Sequence, residues 1–380
     1  MAAIKTAKYL GWRVITTDNN PQNPGHRLAD VSYNVDITDR EGVLAIARVE
    51  QLSGILAPGT DVAVTTAAYV AKELGLAGPS LISARTLTNK IAFREFLKIK
   101  GFPTPKIILL PDGDIGRFPS LGKRWIIKPS TSSGSKGVFL LDNLAEIETY
   151  YKKSLEYSQN GEVFIEEFIE GSQHTCEGIL SNGKIAFCLI TDRDTADFPY
   201  TTTIGHRVPT MASVGAQKNV REMLESIFSS LEISDGPFDC DFVAHGDQVT
   251  IIEATPRIGG NAIPRLVYEA CKFNLTEYAI RYAMGATSFT PTWVSPAPTA
   301  VLILGVPCSG ALKVNVAGFQ MLKKRSWIKA LNLDYSEGSQ VKALINGRCR
   351  VGEALVIGTS RADLDRKVEL VRKQLALSAV

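Results

Sequence analysis

Apolar positions in this chain switch between a helical period and short unbroken runs, and the switch recurs along its length. Residues 3–10 carry helical spacing and stop at Gly11. Residues 13–17 form a short strand-like run that ends at Asp18, and Asn19-Asn20-Pro21 turns the chain. A strand follows at 31–35, an amphipathic helix at 40–49, a strand at 54–57 and a helix at 62–74. This alternation predicts a doubly wound parallel sheet over residues 1–85. Such units open on a strand and a Gly-rich turn. This sequence opens in the helix, so the expectation is either an incomplete N-terminus or a sheet without its first strand.

Beyond residue 85 the pattern changes. Residues 83–100 read as one helix with Phe93, Phe96 and Leu97 on a core face, closed by Gly101 and the prolines that follow. Trp125-Ile126-Ile127 is a buried strand that meets Lys128-Pro129, and a second strand resumes at Val138 after a polar loop. A helix is expected at 143–157 and a strand at 163–165 that runs into Glu166-Glu167. Residues 171–180 and 184–191 form a hairpin about Asn182-Gly183, the favoured turn pair. Residues 192–215 look irregular and polar, and 220–231 helical. A second hairpin, 238–244 with 248–253, turns at Gly246-Asp247, and 266–284 reads as a helix. The proline-rich stretch 288–298 reads as a linker to a small α+β end-piece with strands at 300–304 and 354–358 and a last helix at 362–377. Three segments result: 1–85, 86–295 in two lobes (about 86–170 and 171–295), and 296–380.

Composition narrows the classes. A chain of 380 residues with 45% hydrophobic and 21% charged residues is an ordinary globular protein of two or three domains. A net charge of +3 argues against a nucleic-acid or membrane binder, and the run Lys323-Lys324-Arg325 reads as a solvated face. The six cysteines are scattered without a C-x-x-C pair, which argues against structural zinc and a disulfide framework and for small buried hydrophobes in a reducing cytoplasm. No apolar run reaches membrane-spanning length, and no signal peptide is visible.

Three stretches carry chemistry. The loop Ser130-Thr131-Ser132-Ser133-Gly134-Ser135-Lys136-Gly137 can lay backbone N–H groups, hydroxyls and an ammonium against phosphates. It is not a P-loop, and by itself a solvated hairpin tip explains it equally well. Asp241 and Glu253 lie on the two strands of one hairpin and can meet on one face, which is costly unless a cation neutralises them. Carboxylate oxygens are what Mg²⁺ selects, and the alternative is one exposed and one ion-paired carboxylate, with Arg257 as the partner. The run that follows, Thr255-Pro256-Arg257-Ile258-Gly259-Gly260, places an arginine and two glycines where an anion could sit. Lys90, near a helix start where the dipole disfavours a cation, hints at an anionic partner, although a solvated lysine is the commoner case. Asp18 stands at a strand's carboxyl end, where open α/β sheets bind ligands, although a turn or cap residue is as good a reading.

Taken in order, Thr88-Asn89-Lys90, Ile127-Lys128-Pro129, Gly134-Ser135-Lys136-Gly137-Val138, Glu166-Glu167-Phe168-Ile169-Glu170-Gly171, Asp241 and Ile252-Glu253-Ala254-Thr255-Pro256-Arg257 resemble the ATP-grasp superfamily, in particular its carbamoyl-phosphate-synthase-like carboxylate–amine ligases. The resemblance implies an N-terminal α/β domain, a two-lobed nucleotide-binding domain and a C-terminal lobe. It assigns Lys90, Lys128, Ser133, Gly134, Ser135, Lys136 and Gly137 to the ATP phosphates, and Glu166, Glu167, Phe168 and Ile169 to the adenine hinge. Gln173 would stand at the ribose where the family often has Glu. Asp241 and Glu253 would hold Mg²⁺ (or Mn²⁺), and Arg257, Lys128 and Arg193 would act in catalysis. Asp18, Glu177, His206, Gly259 and Gly260 would meet the substrates. Thr255 replaces the usual Asn, so its hydroxyl or a water would supply that metal ligand. The implied activity converts a carboxylate to an acyl phosphate with Mg-ATP and passes it to an amine. The alternatives are a non-catalytic ATP-binding regulatory module and formate or bicarbonate activation as in purine biosynthesis; an oxidoreductase is disfavoured for want of G-x-G-x-x-G. The expected partners are a small-molecule carboxylate and amine and a second copy of the chain, with no nucleic acid and no membrane.

Overall fold

The computed structural model describes residues 1–110, 124–141, 146–196, 199–286 and 291–380. In the N-terminal segment α1 (Ala2–Tyr9) precedes β1 (Ile15–Thr17) and β2 (Val31–Tyr33), which pair in parallel. The helices α2 (Arg40–Val49) and α3 (Val64–Leu74) follow. Residues 54–57, expected as a third strand, form none. They and β1 lie on the walls of one apolar cavity of about 400 Å³, Leu56 and Ala57 from the one and Ile15 from the other. Among the described residues, the sheet over residues 1–85 has two strands rather than a doubly wound set.

The helix expected at 83–100 is two helices, α4 (Leu81–Thr88) and α5 (Lys90–Ile99). Asn89 leaves helical geometry (φ −104°, ψ 115°) and caps α5 by accepting the Ala92 N–H at 3.0 Å. This break puts Lys90 at the first position of α5 and frees its N–H to donate to the Ser130 carbonyl at 2.9 Å. β3 (Ile107–Leu109), β4 (Trp125–Pro129), β5 (Phe139–Leu141) and β6 (Val163–Glu167) form an antiparallel sheet in the order β3-β6-β4-β5, with α6 (Ile147–Leu155) between β5 and β6 in sequence. Trp125, Ile127, Phe139, Leu141 and Ile165 make its core. Residues 143–145 of the expected helix lie outside the described residues.

The second lobe starts with the hairpin β7 (Ser172–Ser181) and β8 (Lys184–Thr195), whose turn places Asn182 and Gly183 at positive φ (52° and 74°). The stretch 192–215, expected to be irregular, holds the end of β8 and all of β9 (Thr203–Val208); residues 197–198 lie outside the described residues. Its charges hide a strand because they pair within the fold, Arg207 with Asp194 and Asp365. α7 (Val214–Ser230) and the hairpin β10 (Gly236–His245) and β11 (Gln248–Thr255) follow. The helix expected at 266–284 is interrupted, giving α8 (Ile263–Cys271) and α9 (Leu275–Ala283), because Lys272 turns left-handed (φ 56°) and Asn274 caps α9. In the proline-rich stretch, residues 288–290 lie outside the described residues, and Val294 and Ala297 donate to the Cys271 and Ala270 carbonyls at 2.9 Å.

The C-terminal segment comprises β12 (Thr299–Leu304), β13 (Gly310–Lys313), α10 (Val316–Lys323), β14 (Ile328–Leu333), β15 (Gln340–Val341), β16 (Gly352–Ile357), α11 (Arg361–Leu375) and β17 (Ser378–Ala379). β12 pairs with β9, so three C-terminal strands extend the second lobe's sheet into eight: β11-β10-β7-β8-β9-β12-β16-β14. Among the described residues no helix is long and apolar enough to cross a membrane. Cys176, Cys188, Cys240 and Cys271 are free thiols buried in apolar surroundings, while Cys308 is exposed.

Candidate active site

The cleft between the four-stranded sheet and the β10–β11 hairpin is lined by Lys90, Lys128, the loop from Ser132 to Lys136, the hinge residues Glu166 to Ile169, Gln173, Arg193, Asp241 and Glu253. In the hinge, the Glu167 N–H donates to Lys106 O and the Phe168 N–H to Arg124 O, both at 2.9 Å. That leaves the Ile169 N–H as the hinge donor available to a ligand among the described residues. The Glu166 side chain has a different role from its backbone. It is buried, takes Arg94 Nε at 2.7 Å on one oxygen and Lys128 Nζ on the other, and so is a hub under the cleft rather than an exposed carboxylate. Burial would raise its pKa, but the two cations outweigh burial and hold it below the usual carboxylate value. Burial also lowers Lys128 to about 8, against the opposing pull of Glu166. Arg94 Nη2 reaches on to Ile252 O at 2.6 Å, one residue before Glu253, so the hub ties α5 and the hinge strand to β11.

Asp241 and Glu253 are direct cross-strand partners, with a register shift just after Asp241. Each already carries a cation: Arg193 Nη1 lies 3.3 Å from Asp241, and Lys90 Nζ 3.2 Å from Glu253. Thr175 Oγ1 also donates to Asp241 at 2.6 Å. Burial would raise Glu253, but Lys90 and Arg257 hold it below its ordinary value. Two hard-oxygen ligands side by side, with room for phosphate oxygens and water, fit Mg²⁺, which commonly takes one or two protein carboxylates and completes its shell from phosphates. Among the described residues there is no group of three or more His, Cys, Asp or Glu that could hold a metal on its own. Thr255, expected to stand in for a third ligand, is 1% exposed, its hydroxyl is unpartnered, and it lines neither this cleft nor the cavity beyond it.

A second cavity of about 360 Å³ opens on the far side of the same carboxylates. It shares Ser133 to Lys136, Arg193, Asp241 and Glu253 with the cleft. Its remaining walls include Thr60, Asp61, Glu177, His206, Asp239, Arg257, Gly259, Gly260 and Arg348. Arg257 is not free in this arrangement. Its Nε donates to Asp61 Oδ1 at 2.8 Å, its Nη1 donates to Asp239, and Nη1 also meets Ile258 O at 3.1 Å. Glu177 lies opposite Asp239 in the β7–β10 register, is fully buried, and accepts the Gly259 N–H at 3.1 Å. Burial and then Asp239 push Glu177 well up, and burial raises Asp239 to about 6 against the pull of Arg257. Burial and Arg193 lower His206 to about 3, so it is a neutral imidazole beside Thr191 Oγ1.

The structure thus gathers most of the residues singled out from sequence. Gly137 does not line the cleft; its carbonyl accepts from Ser154 Oγ at 2.7 Å, so it anchors the loop. Asp18 is not brought to either cavity of the site. It faces the N-terminal apolar cavity and is held by Asn20 N and Asn23 Nδ2, which makes it the turn residue of the alternative reading. Asp61, Asp239, Arg94 and Arg348 were missed. Asp239 had a signal, since it lies two residues before Asp241 and therefore on the same strand face.

Residues 121–265 match the ATP-grasp domain family. The chain is 25% identical over 333 residues to an L-arginine-specific L-amino acid ligase of Bacillus subtilis, covering 82% of this chain and 78% of that protein. It is also 25% identical over 317 residues to a formate-dependent phosphoribosylglycinamide formyltransferase of Rhodococcus jostii, covering 79% and 76%. Among solved structures, an L-amino acid ligase from Bacillus licheniformis superposes with a TM-score of 0.81 at 19% identity, covering 100% of this chain and 95% of that one.

Proposed function

The chain is an ATP-grasp protein, and from that premise we propose that it activates a small carboxylate as an acyl phosphate with Mg-ATP and joins it to an amine, releasing ADP and phosphate. One observation carries the reading: the nucleotide cleft and the second cavity meet at Asp241, Glu253 and Arg193, so a phosphate from one side and a carboxylate from the other share one wall. Asp241 and Glu253 would hold Mg²⁺, which when bound neutralises phosphate charge.

The residues of the chain do the positioning. Ile169 N–H and Gln173 orient the base and sugar, and Lys90, Lys128 and the loop from Ser133 to Lys136 hold the phosphates. Arg193, bridging Asp241, Gln173 and Thr203, stands at the junction and can turn its charge to the transferred phosphoryl. The substrate carboxylate oxygen attacks the γ-phosphorus as the bond to ADP breaks. The amine then attacks the carbonyl carbon, phosphate leaves with the C–O electron pair, and the proton shed by nitrogen goes to the phosphate. Loop closure excludes water from the acyl phosphate.

The assay is ADP release from Mg-ATP across a panel of carboxylates and amines, with mass detection of the amide. Turnover that requires both partners is the expected result; nucleotide binding without ADP release for any pair refutes it. The complete pairing of Arg257 with Asp61 and Asp239 favours a second reading, a nucleotide-binding module without ligation, and that outcome would install it.

A further inference from the structure

Residues 199–202, which lead into β9, dock the second lobe onto the sheet of the first. Pro199 O accepts the Leu140 N–H at 3.1 Å, and Tyr200 forms an antiparallel bridge with Phe139. β5 is the outermost strand of the four-stranded sheet, so the contact sits on a sheet edge. The Tyr200 ring meets Phe139 edge-on at 6.1 Å, Phe139 stacks on Tyr150 at 4.8 Å, and Tyr200 packs against the core of that lobe.

The same short run reaches the reaction junction. Thr201 lines the nucleotide cleft, and Thr203 lines the second cavity. Thr203 Oγ1 accepts from Arg193 Nε at 2.8 Å. The far end of that guanidinium is held less closely, with Nη1 3.3 Å from Gln173 Oε1 and 3.3 Å from Asp241 Oδ2. Thr203 is thus the shortest contact that sets the plane of the guanidinium. It stands three positions after Tyr200, a span of at most about 11 Å of extended chain. The anchor on the first lobe and the bond to Arg193 therefore move together. An Arg193 released by Thr203 has a carboxylate 3.3 Å away to fall back on. It would close on Asp241, the expected metal ligand, instead of on the phosphoryl.

We propose that Tyr200 is a positioning residue of the ligation site: by locking the run before β9 onto β5, it holds Thr203 against Arg193 and fixes where that guanidinium presents its charge. The proposal rests on the role of Arg193 in the ligase reading. It makes the aim of a charge in the second lobe conditional on the sheet edge of the first, so the arginine is set for phosphoryl transfer only when the two lobes are docked.

The test uses the full chain with Mg²⁺, titrated by calorimetry with ADP and with the β,γ-imido analogue of ATP. Only the analogue carries a γ-phosphoryl for Arg193 to meet. Y200A should weaken the analogue about tenfold and ADP by less than about twofold. Y200F keeps the ring and should bind both as the wild type does. T203V removes the hydroxyl from the contact and should show the same selective loss, and Y200A/T203V should lose no more than T203V alone, because both act through Arg193. A residue that merely packs would weaken both nucleotides alike, and that result overturns the proposal. Additive losses in the double variant overturn it too, as does an unchanged analogue affinity in Y200A. Should Y200A fail to fold, T203V decides, and a T203V protein with wild-type affinity for the analogue overturns the proposal. A wild-type protein that binds neither nucleotide overturns the ligase reading and the proposal with it, whereas a wild type that binds both and ligates, with variants that match it, removes the positioning role alone.

Discussion

Replacing Glu166 by Gln should be among the most destabilising single-atom-scale changes in this chain. The Glu166, Arg94 and Lys128 side chains are 2%, 1% and 5% exposed, and one carboxylate serves both cations. Gln keeps the volume, and its carbonyl can accept from one cation, but its amide then points N–H groups at the other. Removing one member of a buried ion pair costs about 3–5 kcal/mol, because the remaining charge is stranded. Lys128 can relieve part of that by losing its proton, since its pKa is already down at about 8. Arg94 has no such escape. The lower end, about 3 kcal/mol, is therefore the expected loss. Urea unfolding followed by far-UV circular dichroism reads it as a lower midpoint at unchanged slope. The double variant K128M/E166Q should recover part of the loss, because an apolar side chain of similar length replaces a stranded ammonium. A loss below about 1 kcal/mol for E166Q, the level of an ordinary exposed pair, would refute the hub. Nucleotide affinity should fall as well, since Arg94 also braces the Ile252 carbonyl next to Glu253.

Four further outcomes are expected. E253Q and D241N should each lower turnover by orders of magnitude while the fold survives, and the double variant should cost less than the sum, because both would act through one ion; additive losses would argue against a shared metal. Limited proteolysis should cut within residues 130–137 of the free protein and be suppressed by Mg-ATP, and equal cutting in both states would count against a phosphate-clamping loop. Nucleotide affinity should weaken as pH rises above about 8, where Lys128 loses the ammonium that phosphate needs, and K128M should flatten that dependence. The linkage sign for stability is opposite: the folded pKa of about 8 lies below the 10.5 of the free side chain, so between them the unfolded chain binds more protons, and this group's contribution is least favourable below 8 and improves toward 10.5. G259A should destabilise by about 1–3 kcal/mol, since its Cβ would sit 1.7 Å from Glu177 Oε1, and E177A should relieve that loss in combination; an unperturbed G259A would show that Glu177 is not held there.

What the sequence disclosed tracks the range of the interactions involved. The loop, the hinge strand and the β10–β11 hairpin are local patterns, so their elements and Asp241 facing Glu253 could be read from spacing alone. The breaks at Asn89 and Lys272 were hidden because helical periodicity continues on both sides, and only a cap or one left-handed residue marks the interruption. β9 was hidden because its polar residues find partners far away in the chain, Arg207 with Asp365 for one, and a strand that pairs its charges inside the fold has no alternation to display. Asp61 and Arg348 belong to the same class. They reach the site from the first and last segments, and each looks like an isolated surface charge until the fold brings Arg257 to one and the phosphate loop near the other.

The paired charges also bear on how such a site can be kept folded without its substrates. Lys90 with Glu253, Arg193 with Asp241, and Arg257 with Asp61 and Asp239 form internal pairs along the walls that phosphate, metal and carboxylate are expected to meet. A cleft of unpaired carboxylates and ammoniums would carry several kcal/mol of repulsion and desolvation; internal pairing removes most of that. Binding then becomes an exchange, in which Lys90 and Arg193 give up carboxylates for phosphates while the carboxylates take the metal. The exchange conserves the number of ionic contacts, so it selects for ligands that supply both signs at once. Mg-ATP does so and free ATP does not, since ATP alone would detach the lysine and arginine and leave Asp241 and Glu253 facing each other unneutralised. The geometry therefore predicts metal dependence at the binding step, before any chemistry, and a calorimetric comparison of ATP with and without Mg²⁺ should find the metal-free affinity lower by more than about tenfold; equal affinities would mean that the internal pairs stay closed and the nucleotide sits elsewhere.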